Sequence, residues 1–238
     1  MKRLSLVLSL LVILFAFSGC ASMSSFYDPW FEDGVIPEEC FLKAGEEPKV
    51  YYSDDFDSDI YYLQSNYYLI LGKSSYNGPA DSSLKKAVAS LCKEKRAEIG
   101  LYGYQYTGTK TGVYSSGSYI NPYSVPRYDY DIYLFVPMPE YLMLDRARVG
   151  LRVRDLDSSD RLSTKRNVGA YVSLVYDSTP AFYSNISRGD IISEINGITI
   201  TSADQVEAIF DKAISTDTLR ITLYRGGLPF TVEISPLF

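Results

Sequence analysis

The sequence predicts an α+β chain with two folded units behind an N-terminal targeting segment. Tyrosine divides the chain by composition, because 17 of the 22 tyrosines lie between Tyr51 and Tyr141. Short segments of alternating polar and apolar residues, typical of strands, are separated by two segments with apolar residues at helical spacing. With 238 residues, 46% of them hydrophobic, the chain is long enough to bury two cores.

Net charge and the absence of histidine exclude several functions. The formal net charge is −6 and there is no basic run, which argues against nucleic acid as a partner. The chain has no histidine, so Ser-His-Asp and Cys-His catalysis and every histidine-containing zinc site are excluded. We therefore predict no catalytic residues, no metal site and no cofactor.

The N-terminal segment is typical of a signal peptide, which we assign to residues 1–19. Lys2 and Arg3 precede the apolar run Leu4–Phe17, whose 14 residues are too few for a membrane-spanning helix. The following Ser18-Gly19-Cys20 resembles the lipobox of bacterial lipoproteins, although Phe17 stands where leucine is usual. The alternative is an ordinary signal peptide that is cut near Ala21.

The lipobox resemblance implies that Cys20 carries a diacylglyceryl group and anchors the chain to a membrane of the cell envelope. Ala21 after this cysteine favours the outer membrane, by the rule for enteric lipoproteins. Residues 20–50 are rich in Ser, Asp, Glu and Pro, and we assign them to a lipidated tether. Cys40 and Cys92 would then remain, either as a disulfide or, for Cys92, as a core residue.

Residues 51–140 predict a small β-α-β-β unit that is rich in tyrosine. We expect strands at 60–72, 99–107 and 128–136, with a loop at 108–127. The predicted helix has one apolar stripe, formed by Leu84, Ala87, Val88, Leu91 and Cys92. The alternating tyrosines either pack across strands or form a face that binds sugar or peptide.

Residues 145–238 have a different pattern, and Pro137 and Pro139 mark the boundary. Strands are predicted at 148–156, 167–176, 191–195, 198–200, 218–225 and 229–234. One main helix is predicted at 201–214, with Thr201 or Ser202 as its N-cap. A short helix is predicted within 177–190.

This order of elements resembles a PDZ domain in the circularly permuted form of the bacterial HtrA-type proteases. Six motifs carry the resemblance: Gly150-Leu151, Ser178-Thr179-Pro180-Ala181, Gly189-Asp190-Ile191-Ile192, Ile195-Asn196-Gly197, the 202–214 helix and Arg225-Gly226-Gly227. The resemblance implies a partly open β-barrel or sandwich with one main helix. It covers about 145–238.

The resemblance also implies a groove for a protein C-terminus or an extended peptide segment. The peptide would add as a strand beside the main helix, and backbone amides of a glycine loop would hold its carboxylate. The matching positions are Arg148, Val149, Gly150, Leu151, Arg152 and Val153, with Val206, Ile209, Phe210 and Ala213 as candidates for the opposite wall. Arg148 would either attract the carboxylate or point into solvent.

We therefore predict a membrane-anchored, non-catalytic protein that binds peptide segments or C-termini. The first alternative is an enzyme, since such domains accompany serine proteases. The second is a structural or surface-adhesive envelope lipoprotein whose PDZ fold is purely structural and only stabilises an assembly. The chain also contains Arg188-Gly189-Asp190, the tripeptide of integrin-binding adhesins, which we assign to a turn that leads into a core strand.

Overall fold

The computed structural model describes residues 23–116 and 119–237, which form two compact units. Among the described residues, the first unit contains 23–35, 41–54 and 70–136. The second contains 36–40, 55–69 and 137–237. The predicted mixed α+β class is confirmed, and neither sheet is closed into a barrel.

The described strands are β1 (Tyr27–Pro29), β2 (Lys49–Tyr52), β3 (Tyr68–Pro79), β4 (Ile99–Ser116), β5 (Tyr119–Pro137), β6 (Leu151–Asp155), β7 (Ala170–Val175), β8 (Ile191–Ile195), β9 (Ile198–Thr199), β10 (Leu219–Arg225) and β11 (Leu228–Ile234). The described α-helices are α1 (Phe56–Ser65), α2 (Leu84–Lys95), α3 (Glu140–Ala147), α4 (Ser158–Thr164), α5 (Pro180–Tyr183) and α6 (Ala203–Lys212). Two short 3-10 helices lie at Met23–Phe26 and Glu38–Cys40.

The first unit is a five-stranded sheet, in the order β1-β3-β5-β4-β2, with α2 against one face. The predicted apolar stripe of α2 is largely buried, through Leu84, Val88, Leu91 and Cys92. The helix lies close to the sheet because Gly100 has no side chain. A Cβ there would lie 2.6 Å from Cys92 Sγ and 2.8 Å from Val88 Cγ1.

The first predicted strand is wrong over residues 60–65, which belong to helix α1. Asp55 caps this helix, and its carboxylate accepts hydrogen bonds from the Ser58 amide at 3.2 Å and the Ser58 hydroxyl at 2.6 Å. Such a cap supplies an acceptor for backbone N–H groups in the first turn of a helix, which have no partner within the helix itself. It therefore overrides the strand preference of Tyr61 and Tyr62.

The predicted loop at 108–127 is also wrong, because β4 and β5 continue as a long antiparallel hairpin. Cross-strand pairs run from Ile99 opposite Phe135 to Ser116 opposite Tyr119, with one irregularity between Tyr106 and Gly108. Glycine, proline and serine in this segment favour turns, yet pairing with a neighbouring strand decides the conformation.

The second unit is a sheet in the order β11-β10-β8-β7-β6, with β9 paired to β8. All its described pairs are antiparallel. Its core contains residues from each of the longer strands and from α6; the most deeply buried include Val172, Ile192, Ile195, Ile200, Val206, Ile221 and Leu223. The predicted strands and main helix of this unit agree with these elements to within a few residues.

Helix α1 belongs to this second unit, whereas the sequence analysis assigned all of residues 51–140 to the tyrosine-rich unit. The Asp177 amide donates to the Ser65 carbonyl at 3.0 Å, and the Met138 amide donates to the Tyr67 carbonyl at 2.7 Å. The rings of Tyr67 and Tyr176 stack with centroids 5.0 Å apart. These contacts join segments that are distant in sequence, which composition alone does not indicate.

Both described cysteines, Cys40 and Cys92, are buried free thiols. Burial raises the pKa of Cys92 to about 12. Cys20 and the predicted signal peptide lie outside the described residues. No helix within residues 23–116 and 119–237 is long and apolar enough to cross a membrane.

Candidate functional site: the groove between β6 and α6

Strand β6 forms one edge of the second sheet. Among the described strands it pairs with β7 alone, from Leu151 opposite Val175 to Asp155 opposite Ala170. Helix α6 contacts β6, and the Asp155 carboxylate accepts a 2.7 Å hydrogen bond from the Ala203 amide at the start of that helix. The result is a strand edge with a helix beside it.

The loop before β6 directs three consecutive carbonyl groups toward its own domain. The carbonyls of Arg148, Val149 and Gly150 accept hydrogen bonds from the amides of Leu237, Ala181 and Tyr176, at 2.8, 3.0 and 2.9 Å respectively. In a trans peptide the N–H group points opposite to the carbonyl group, and no described peptide bond is cis. The amides of Val149, Gly150 and Leu151 therefore point away from these partners, as an anion-binding nest requires.

Gly150 is fixed at this position by two constraints. Its φ is +95°, a value that side chains disfavour. A Cβ there would lie 2.0 Å from Thr179 Oγ1, and Thr179 is itself buried and donates to the Tyr176 carbonyl at 2.7 Å. The loop and the turn that contains Thr179 can approach each other only if residue 150 is glycine.

The Arg148 side chain contacts helix α6 and lines the end of the groove at the loop. Its Nη2 donates to the Phe210 carbonyl near the end of α6. A cation at a helix C-terminus is favoured by the helix dipole. Arg148 thus links the loop to the helix at one end of the groove.

A cavity of about 30 Å³ lies at this end, close to the volume that one water molecule takes up. Its lining includes the loop residues Val149, Gly150 and Leu151, together with Phe210. Its charged lining residues are Asp145, Arg146, Arg148, Glu207 and Asp211. Burial raises the pKa of Glu207, and the positive charges of Arg146 and Arg152 oppose that rise.

The structure divides the predicted wall residues of α6. Val206 and Ala213 lie in the domain core, and Ile209 packs against that core, so none of the three is placed at the cavity. Phe210 is buried in the core and also lines the cavity.

Helix α6 presents two acidic residues, Glu207 and Asp211, to the cavity. Sequence reasoning missed this pair because it searched only for apolar positions, although their i, i+4 spacing places both on one face.

The predicted β6 residues alternate as a half-buried strand should. Leu151 lies in the core and Val153 packs against it, whereas Arg152 is exposed. Arg154 is bound to Asp160, through Nη1 and through a 3.1 Å bond from Nη2. The arginines on this strand therefore lie on the face opposite the core.

The Arg-Gly-Asp tripeptide is engaged within the domain. Asp190 is 1% exposed, and its carboxylate accepts hydrogen bonds from Arg225 Nε at 2.7 Å, Arg225 Nη2 at 2.8 Å and the Ser187 amide at 2.8 Å. Arg188 binds the carboxylate of Asp57 on helix α1. The tripeptide serves as scaffold, as the turn interpretation predicted.

The C-terminal part of the chain is similar to a known domain family. Residues 147–235 match the PDZ domain family. The chain is similar to serine protease HTRA1 of Xenopus laevis, with 29% identity over 96 residues, 37% of this chain and 20% of that protein. It is also similar to a probable periplasmic DegP-like serine endoprotease of Marinomonas sp. strain MWYL1, with 26% identity over 94 residues, 39% of this chain and 20% of that protein.

The matched region thus spans about a fifth of the length of these curated relatives. Among solved structures, the chain is similar to the HtrA3 PDZ domain bound to a phage-derived ligand, FGRWV. That similarity has 24% sequence identity and a TM-score of 0.33, and covers 37% of this chain and 83% of that chain. The C-terminal part of this chain, residues 147–235, is a PDZ domain.

Proposed function

We propose that the PDZ domain captures the C-terminus or an extended segment of a partner protein by adding it as a strand to β6. The observation that carries this proposal is the orientation of the Val149, Gly150 and Leu151 amides, which point away from the partners of the loop carbonyls. They lie at the start of β6, which has one open edge among the described strands. Backbone hydrogen bonds to β6 would supply affinity, and the loop amides would hold a terminal carboxylate.

The role that we propose is that of a non-catalytic adaptor. The chain contains no histidine, so a PDZ-linked serine protease of the Ser-His-Asp type has no general base here. The similarity to serine proteases covers only the PDZ region. Incubation with an unfolded substrate, and separately with a serine-reactive probe, tests whether the chain is non-catalytic. Cleavage of the substrate or labelling by the probe would contradict the proposal.

We further propose that the adaptor is anchored to a membrane of the bacterial cell envelope, most simply the outer membrane, through lipidated Cys20. The support is the basic, apolar and Ser-Gly-Cys order of residues 1–20. Metabolic labelling with a fatty-acid analogue tests the anchor. We expect label in the unaltered chain and none in Cys20→Ser; equal labelling of both would overturn the assignment.

A library of free C-terminal and internal peptides, presented to the purified full chain, tests capture. Glu207→Trp places a bulky ring beside the cavity, whereas Ala208→Trp places the same ring at an exposed position of the same helix. We expect Glu207→Trp to weaken binding about tenfold or more and Ala208→Trp to leave it almost unchanged. Equal affinities in the two variants would place the binding site elsewhere.

A purely structural role for the PDZ fold is the second candidate. The cavity of about 30 Å³ and the bond from Arg148 to the Phe210 carbonyl favour it, because together they leave little room at the loop. If this candidate is right, no peptide in the library binds, and Arg148→Ala, which removes the link, does not create binding.

A further inference from the structure

We propose that the tyrosine-rich unit carries a second binding site, which takes an uncharged carbohydrate. This site lies entirely in the first unit and does not depend on peptide capture by the PDZ domain. The evidence is a groove of about 420 Å³ between the start of α2 and one face of the β4–β5 pair. This volume is within the range of roughly 300–1,000 Å³ that is usual for small-molecule sites.

Alternation along the two strands places the tyrosines on the face that carries α2. Gly100 approaches α2, so residues at even spacing from it lie on the same face. Residues directly opposite each other in an antiparallel pair share a face. The shared face is formed by Gly100, Tyr102, Tyr104 and Tyr106 on β4, opposite Leu134, Ile132, Tyr130 and Tyr128 on β5.

The character of this face changes where the helix begins. Beneath α2 the face is aliphatic, and Ile132 and Leu134 are fully buried. Beyond the helix it is aromatic: Tyr130 is buried, at 3% exposure, whereas Tyr104 is 49% exposed and Tyr106 is 56% exposed. Core packing alone would bury these rings, so the exposed ring faces are available to a ligand.

The groove is polar as well as aromatic. Tyr102, Tyr104, Tyr128 and Tyr130 form its floor, and Asp81, Ser82 and Lys85 line its rim. Tyr130 uses its hydroxyl to donate to the Pro79 carbonyl at 2.6 Å. Within the described part of the chain, the hydroxyls of the other three floor tyrosines have no hydrogen-bond partner. Ring faces below and hydrogen-bonding groups around them suit a sugar ring, which has an apolar face and a rim of hydroxyls.

Charge favours an uncharged ligand. One carboxylate, from Asp81, and one ammonium group, from Lys85, line the groove, so their charges cancel. Asp81 already accepts bonds from the Ser83 amide at 2.8 Å and the Ser83 hydroxyl at 2.7 Å, both through Oδ1. Neither an acidic nor a basic ligand would gain a net electrostatic attraction.

The geometry of the floor rings disfavours a proline-rich peptide. A proline ring would need a slot between near-parallel aromatic rings. The floor rings are inclined instead: Tyr104 makes angles of 87° with Tyr128 and 49° with Tyr130.

The test is binding of the purified full chain to an array of short neutral oligosaccharides built from hexose and N-acetylhexosamine units, followed by calorimetry on those retained. Tyr104→Ala removes a floor ring, and Tyr114→Ala removes an exposed ring of the same strand that does not line the groove. We expect Tyr104→Ala to weaken binding about tenfold and Tyr114→Ala to change it less than about twofold.

Thermal unfolding of each variant ensures that a loss of binding is not a loss of folding, and Tyr104→Phe supplies a second readout because it keeps the ring. We expect Tyr104→Phe to retain most of the affinity. Three results would overturn the proposal: no oligosaccharide binds, folded Tyr104→Ala binds as well as the unaltered chain, or a proline-rich peptide binds in this groove in place of sugar.

Discussion

Arg188 binds the carboxylate of Asp57 with two hydrogen bonds, of 3.0 Å from Nη1 and 2.9 Å from Nη2. The guanidinium group also lies 5.4 Å from the centre of the Tyr61 ring. Arg188 and Asp57 are 131 positions apart in the sequence and belong to the same compact unit. The arginine of an apparent adhesion motif is thus engaged by a helix of its own domain.

The first prediction concerns cell adhesion. Because Arg188 is paired and Asp190 is buried, surfaces coated with the native chain should not support attachment of integrin-bearing cells. The chain denatured before coating, or a peptide of residues 185–193, should support attachment, since the tripeptide is then extended and accessible. Attachment to the native chain that is lost in Arg188→Ala would show that the motif is displayed after all.

The second prediction compares two glycines with positive φ. Gly150→Ala should lower the free energy of unfolding by about 3 kcal/mol or more, from strain at φ and from overlap with Thr179. Gly197→Ala should cost only about 1 kcal/mol, because φ is +81° there but nothing lies within 4 Å of the added Cβ. Urea unfolding measures both, and equal losses would contradict the packing argument.

The third prediction concerns helix α1. Tyr67→Ala removes the ring that stacks on buried Tyr176, and should lower the free energy of unfolding by about 2 kcal/mol. Tyr62→Ala is the matched control, since that ring is largely exposed, and it should change stability by less than about 0.5 kcal/mol. If Tyr67→Ala is as neutral as the control, the contacts after α1 contribute little to the second unit.

The fourth prediction is a pH dependence at Asp160. Hydrogen bonding to Arg154 is the main cause that lowers the pKa of this carboxyl, and the Asp157 amide adds to it. A carboxyl whose pKa is lower in the folded state stabilises the fold above its ordinary pKa of about 3.9. That stabilisation is lost as the pH falls through the folded-state pKa.

Asp160→Asn should therefore lower the free energy of unfolding by about 2 kcal/mol at pH 7, and the difference should shrink as the pH falls below about 4. Glu233→Gln, at an exposed carboxyl, serves as the control and should cost almost nothing. Unfolding free energies across this pH range measure the effect. A loss in Asp160→Asn that does not vary with pH would mean that the ion pair contributes nothing.

Local patterns predicted most of the second unit. Apolar alternation, the turn residues and the glycine of the loop place β6, β8, β10, β11 and α6 close to their observed positions. The same patterns made Val206 and Ala213 candidates for the groove wall without deciding which helix residues pack inward, and the structure has both in the core. Periodicity identifies the apolar face of a helix, and that face is the one most often buried.

What the sequence did not predict depends on contacts between distant segments. Helix α1 is capped locally by Asp55, yet its assignment to the second unit depends on Arg188, Tyr176 and Asp177. Cross-strand pairing stabilises the long hairpin of β4 and β5. The glycines and prolines of this segment favour turns, so its sequence does not indicate the pairing. Arg148 has a partner, the Phe210 carbonyl, that becomes a neighbour only after folding.

The central claim is that the loop amides and the open edge of β6 receive a peptide. The most direct measurement is amide NMR of the isotopically labelled full chain, titrated with the tightest-binding peptide from the library. We predict that the largest shift changes, and slower hydrogen exchange, occur at the amides of Val149, Gly150 and Leu151 and along β6. Saturable binding that leaves these amides unchanged and shifts others would contradict the account.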